Sequence, residues 1–180
     1  MEQRRMAGRD GIVSVQEADF DVGAEIAALG GERRDVGAVA TFVGLVREAN
    51  DGSGVSAMTL EHYPGMTERA LGEIVAQARS RWPLLSVRVI HRVGRLVPGD
   101  RIVFVGVAAS HRGEAFAACE FIMDYLKTRA PFWKREETPA GARWVDAREG
   151  DDAAAARWSG DAAAAAGAGE QGQDTRRRGR

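Results

Sequence analysis

The sequence predicts a single α+β domain, with helices packed on a mainly antiparallel or mixed sheet. Three observations lead there. An apolar stripe at spacings of three and four runs from Met66 to Trp82, a helix signature. β-rich runs at Val36–Val46, Val55–Tyr63, Ser86–Val93 and Arg101–Ala109 alternate irregularly with helical stretches. The 180 residues, 44% of them hydrophobic, suffice for one well-buried core and a tail.

In chain order, residues 1–10 are polar and read as a flexible N-terminus, and Ile12–Gln16 as a short strand. Val22–Leu29 is a short helix that ends at Gly30-Gly31. Val36–Val46 (VGAVATFVGLV) combines β-formers with small residues, as a buried strand does. Glu48–Gly54 is a loop by composition, and the alternation in Val55–Tyr63 predicts a half-exposed strand. Met66, Ala70, Leu71, Ile74, Val75, Ala78 and Trp82 form the stripe of the next helix, with Pro64 in its first turn and Pro83 stopping it. Ser86–Val93 alternates strictly, and Val97-Pro98-Gly99-Asp100 is a turn. Arg101–Ala109, apolar after its first residue, should be a central strand covered on both faces. A second long helix spans Arg112–Arg129 and ends at Pro131, with a buried stripe at Phe116, Cys119, Met123 and Leu126. Phe132–Glu136 and Arg143–Asp146 make a final strand pair. The folded unit is therefore 11–150. Residues 151–180 hold ten Ala and five Gly, with Trp158 the only large apolar side chain, and read as a mostly disordered Ala/Gly/Arg-rich tail.

Composition excludes several function classes. A net charge of −1 gives no general drive toward nucleic acid. No apolar run approaches the roughly 20 residues that span a bilayer, and the start lacks a secretory signal, so a cytoplasmic protein is expected. One cysteine builds neither a disulfide framework nor a zinc cage, and no metal-ligand spacing, P-loop or dinucleotide fingerprint is present. One count is more pointed. Of 25 basic residues, 23 are arginine and two are lysine, Lys127 and Lys134, on either side of Pro131. Lysine, unlike arginine, becomes a neutral amine when its surroundings lower its pKa. The pair is either a chance survival or a site.

Other candidates keep two readings. Ser110-His111-Arg112 sits where a strand meets a helix N-terminus, a place that favours anions; it is equally a capped, solvated helix start. Lys127 is a helix-ending cation or an acid/base group. Phe132-Trp133-Lys134-Arg135-Glu136 can hold a flat heterocycle and a phosphate, or bury one face of a strand. If Arg112 and Arg135 crowd the two lysines, at least one amine pKa should fall. Arg47 adds a basic group at a strand end, and His62 and His91 belong to the structural strands. Cys119 is a small core residue, so any sulfur chemistry needs sulfur from outside.

Five stretches together are similar to one family. Leu60–Met66 (LEHYPGM), Ile90–Gly94 (IHRVG), Pro98-Gly99-Asp100, Ser110-His111-Arg112 and, above all, Phe121–Glu136 (FIMDYLKTRAPFWKRE) resemble the catalytic (large) subunit of molybdopterin synthase. The likeness runs from about Ile12 to Trp158. It implies an α/β hammerhead-type fold and a homodimer that binds one small ubiquitin-like sulfur-carrier subunit per protomer, a two-plus-two heterotetramer. The carrier's thiocarboxylated Gly-Gly end supplies sulfur to cyclic pyranopterin monophosphate, forming the dithiolene of molybdopterin, with no further cofactor and no metal. The family's roles fall on Lys127 and Lys134 as catalytic lysines, and on Leu45, Val46, Arg47, His111, Arg112, Arg135 and Glu136 as substrate or anion contacts. Arg143 is expected to act across the dimer interface. The chain ends Arg178-Gly179-Arg180 rather than Gly-Gly, so a separate sulfur donor is expected. Two rivals remain: a non-catalytic basic-pocket module for a nucleotide, RNA end or acidic peptide, and a degenerate scaffold.

Overall fold

The computed structural model describes residues 11–50, 53–145 and 151–159. Its order is β1 (Val13–Gln16), α1 (Val22–Gly30), β2 (Ala38–Leu45), β3 (Ala49–Asn50), β4 (Ser53–Gly54), β5 (Ala57–His62), α2 (Met66–Arg81), β6 (Leu84–Arg92), β7 (Gly94–Leu96), β8 (Arg101–Ala109), α3 (Arg112–Arg129), β9 (Phe132–Thr138) and β10 (Gly141–Val145). A further helix, α4, covers 151–159. The α+β expectation holds. One four-stranded sheet runs β1-β6-β8-β2, with only the β1–β6 pair parallel, and a second, fully antiparallel, runs β10-β9-β5-β7.

The first sheet is covered on both faces. α2, α3 and Trp158 of α4 bury Val87, Val89, Val103, Val105 and Val107 on one side. Phe20, just before α1, and Leu29, within it, cover Ile90, Phe104 and Ala108 on the other. Burying such a face contributes roughly 25 cal/mol per Å² of apolar surface, which is why the central strand β8 is apolar from Val103 onward and buried throughout that run. α3 ends at Arg129, where the Ala130 N–H closes on the Leu126 carbonyl at 3.3 Å and Pro131 cannot continue the ladder. Among the described residues no helix is long and apolar enough to cross a membrane.

Five expectations need correction. Val36–Val46 is not a buried strand: β2 is the edge of its sheet, and Val39, Phe42 and Leu45 are exposed. The stretch expected as the loop Glu48–Gly54 carries the two-residue strands β3 and β4, paired antiparallel. β5 is more buried than its alternation suggests, because Val46 and Ile102 pack with Met58 and Leu60 while β7 and β9 flank it. On the helix stripes, Met66 and Phe116 face outward, 54% and 66% exposed, while Ala115, Ala118 and Ile122 take the core positions. Finally, residues 151–159 are helical and not tail: Trp158 packs edge-on against Trp82 and Phe121, and its Nε1 donates to Asp124 Oδ2 at 2.7 Å. The expected flexible 1–10 and the tail from 160 onward lie outside the described residues.

Candidate active site

A cavity of about 550 Å³ opens where the two sheets meet beside the last turns of α3. Three local features deliver its polar side chains. The first is the end of β2. Its pairing with β8 slips between Gly44 and Leu45, and a Cβ on Gly44 would stand 2.7 Å from Val103 Cγ1. Only glycine allows so close a strand approach, and such a bulge re-aims the side chains beyond it. Leu45, Val46 and Arg47 consequently all line the cavity. The backbone of Val46 is held by the Gly99–Asp100 turn through two hydrogen bonds of 2.9 Å.

The second feature is the last turn of α3. Buried Met123 and Leu126 line the cavity, and Lys127, one position further round the helix, reaches its half-exposed side. Lys127 Nζ lies 3.9 Å from Asp151 Oδ1, at the start of α4. The third is β9, whose two-residue period turns Phe132, Lys134 and Glu136 toward the cavity and the alternate residues away. Lys134 Nζ is 3.8 Å from Glu136 Oε1. Glu136 is 3% exposed, and its Oε2 accepts from Arg143 Nη2 at 3.2 Å, across the β9–β10 pair that sets these residues opposite each other. Each amine therefore has a carboxylate within ion-pair reach, and the buried one is itself shared with an arginine.

The chain thus brings together Lys127, Lys134, Leu45, Val46, Arg47 and Glu136. It does not bring the others. His111 and Arg112 are exposed at the far end of α3, about 22 Å from Lys127 along the axis at 1.5 Å per residue. Ser110 does not cap the helix; its Oγ donates to the Asp35 carbonyl at 3.2 Å, and the N-cap His111 makes no side-chain capping bond. Arg135 sits on the opposite face of β9, its guanidinium 5.9 Å from the Trp144 ring centre and its buried Nε without a hydrogen-bond partner among the described residues. The expected crowding of the lysines by Arg112 and Arg135 is therefore not formed within one chain, because helix length and strand alternation carry both away. Arg143, expected to act across an interface, is engaged with Glu136 of its own chain.

Cys119 is buried, and burial pushes its thiol up to about 11, as a core residue requires. Two further residues line the cavity without a signal strong enough to single them out in the sequence. Asp151 falls in the Ala/Gly-rich stretch, where Trp158 seven residues on is the one sign that the segment docks. His91, expected to be structural alone, also faces the cavity. It is stacked on Phe132 at 3.8 Å, and burial lowers its pKa to about 4.

The family model described as "MoaE protein" matches residues 15–129. The chain is 68% identical over 146 residues to the molybdopterin synthase catalytic subunit of Ralstonia nicotianae, covering 81% of this chain and 83% of the relative. Among solved structures, a molybdopterin biosynthesis MoaE protein from Burkholderia ambifaria MC40-6 is 59% identical with a TM-score of 0.72, covering 83% of this chain and 98% of that one. Molybdopterin synthase from Staphylococcus aureus is 27% identical with a TM-score of 0.69, over 74% of this chain and 96% of that one.

Proposed function

The chain belongs to the MoaE family, and from that premise we propose that it is a molybdopterin synthase catalytic subunit whose cavity moves sulfur from the thiocarboxylate of a small carrier subunit onto cyclic pyranopterin monophosphate. One observation carries the reading: the only two lysines of the chain line one cavity, together with Arg47. That cavity suits a small phosphorylated heterocycle in size and in its mix of apolar walls and few polar groups. The relatives' name, catalytic subunit, speaks for a companion subunit, which here is the carrier.

The roles follow from position. Arg47, on the re-aimed end of β2, offers a planar fork to the cyclic phosphate. Lys134 is the more enclosed amine, and Glu136 fixes it, so it delivers the proton to the oxygen that leaves the pterin side chain as the carbon–sulfur bond forms. Lys127 is half-exposed at the α3–α4 corner and meets the carrier's anionic terminus as it enters. Sulfur arrives on the carrier, which is consistent with a sole cysteine held protonated and buried. His111 and Arg112, too distant in their own chain, serve the cavity of a second copy, in a homodimer that loads two carriers.

The rival basic-pocket module needs Arg47, Arg112 and Arg135 in one patch, which the chain does not form; the scaffold reading needs a degraded cavity, and both lysines are in place. Reconstitution with thiocarboxylated carrier and cyclic pyranopterin monophosphate tests the proposal. Lys127→Arg and Lys134→Arg retain the charge; each should abolish turnover while leaving the protein folded. Normal conversion by both variants would overturn the assignment.

A further inference from the structure

We propose that His91 is a substrate-recognition residue, whose Nε2 accepts a hydrogen bond from a ring N–H of the bound pterin; this rests on the function proposed above. Strand alternation alone makes His91 a structural residue, and its surroundings argue otherwise. It stands on β6, buried to 6% exposure, between Ile90 and Arg92, and it lines the same cavity as the lysines. Its ring is clamped twice. Phe132 lies against one face at 3.8 Å with only 18° between the planes. Nδ1 is 2.8 Å from the Arg92 carbonyl oxygen.

That second contact decides the chemistry. A carbonyl oxygen only accepts, so Nδ1 carries the hydrogen and Nε2 is the bare, basic nitrogen of a neutral imidazole. Burial keeps the ring neutral down to about pH 4, so this polarity does not change over any working range. The cavity's other charged side chains are two amines, one guanidinium and two carboxylates already facing amines. The amines and the guanidinium suit a phosphate and a thiocarboxylate, both anions. A fused pterin also presents N–H donors, and with both carboxylates already facing amines those call for a further acceptor set at a fixed angle beside an aromatic plane. His91, stacked with Phe132, supplies both the acceptor and the plane.

The test uses the whole protein. Cyclic pyranopterin monophosphate is titrated into wild type and into His91→Phe, His91→Asn and His91→Gln, with melting temperatures measured in parallel. Phe removes both nitrogens, Asn retains a donor near the Nδ1 position, and Gln places an acceptor near Nε2. Pterin affinity should fall about tenfold in the Phe and Asn variants and recover in part with Gln. The KM for thiocarboxylated carrier should not move. A measurement on wild type makes the outcome independent of how the variants fold: in protein carrying ¹⁵N-histidine, the His91 Nε2 resonance should shift on saturation with the pterin while Nδ1 stays in place. An Nε2 resonance unmoved by saturating pterin, or a folded His91→Phe variant that binds as wild type does, overturns the inference and leaves the sulfur-transfer reading standing. Absence of pterin binding by the wild-type protein overturns both.

Discussion

The two ends of α3 carry similar chemistry in very different settings. At the C-terminal end Lys127 stands beside a cavity floored by Met123 and Leu126, with Asp151 across from it and Lys134 and Glu136 on the next strand. At the N-terminal end His111 and Arg112 have an anion-favouring helix terminus behind them, but both are exposed and neither lines the cavity. A basic motif becomes a site only where the fold supplies walls, opposing charge and exclusion of water. The N-terminal end lacks walls of its own among the described residues, and in the function proposed above a second protomer would supply them.

Replacing each end separately should make the contrast quantitative. The largest effect is expected from Lys134→Arg and Lys127→Arg, with turnover down on the order of 10²–10⁴-fold and circular dichroism unchanged. Arg112→Ala should also be inactive, yet mixing it with Lys134→Arg protein should restore about a quarter of wild-type activity, since half the dimers are mixed and each has one intact site. No recovery in remixed dimers would place the two ends in one chain's service or none.

Smaller effects concern the residues that hold the cavity's corner. Trp158→Ala should cost about 3 kcal/mol of stability and free Asp151 from Lys127, which denaturant melts and steady-state rates would register together. The pH dependence of stability should show His91. Its folded pKa, about 4, lies below the ordinary 6.5, so the unfolded chain takes the proton first. The stabilisation is complete above about pH 6.5 and is lost as pH falls toward 4, a change on the order of 3 kcal/mol at most. Urea melts of wild type and His91→Gln across that window would diverge at neutral pH and converge in acid. Least affected should be activity in Cys119→Ala, because that thiol supplies no sulfur; a large loss of kcat in that folded variant would contradict delivery from the carrier.

Much of the molecule is legible in the chain, for physical reasons. α3 is bounded at Arg112 and Arg129 because a strand–helix junction and a proline bracket it. β8 reads as a central strand because only a doubly covered strand tolerates RIVFVGVAA. β2 misleads because VGAVATFVGLV reads the same for a buried strand and for an edge strand that leaves Val39, Phe42 and Leu45 exposed. α4 hides in the average composition of thirty residues, although alanine is the strongest helix former and one tryptophan suffices to anchor two turns. For the site, the lysine count singles out Lys127 and Lys134, strand-end position suggests Arg47, the family resemblance adds Glu136, and the four line one cavity. Arg135 is suggested by adjacency to Lys134, yet neighbours along a strand point to opposite faces. His91 is concealed because the strict alternation of β6 promises one wet face, and both faces are covered.

The scarcity of lysine gives the protein a built-in handle. Because the two ε-amines both border the same hollow, an amine-selective reagent of modest size finds its only side-chain amine targets there. Mass spectrometry of intact protein before and after addition of pterin or carrier then counts how many amines are covered, and a digest assigns each label to its lysine, with no engineered tag.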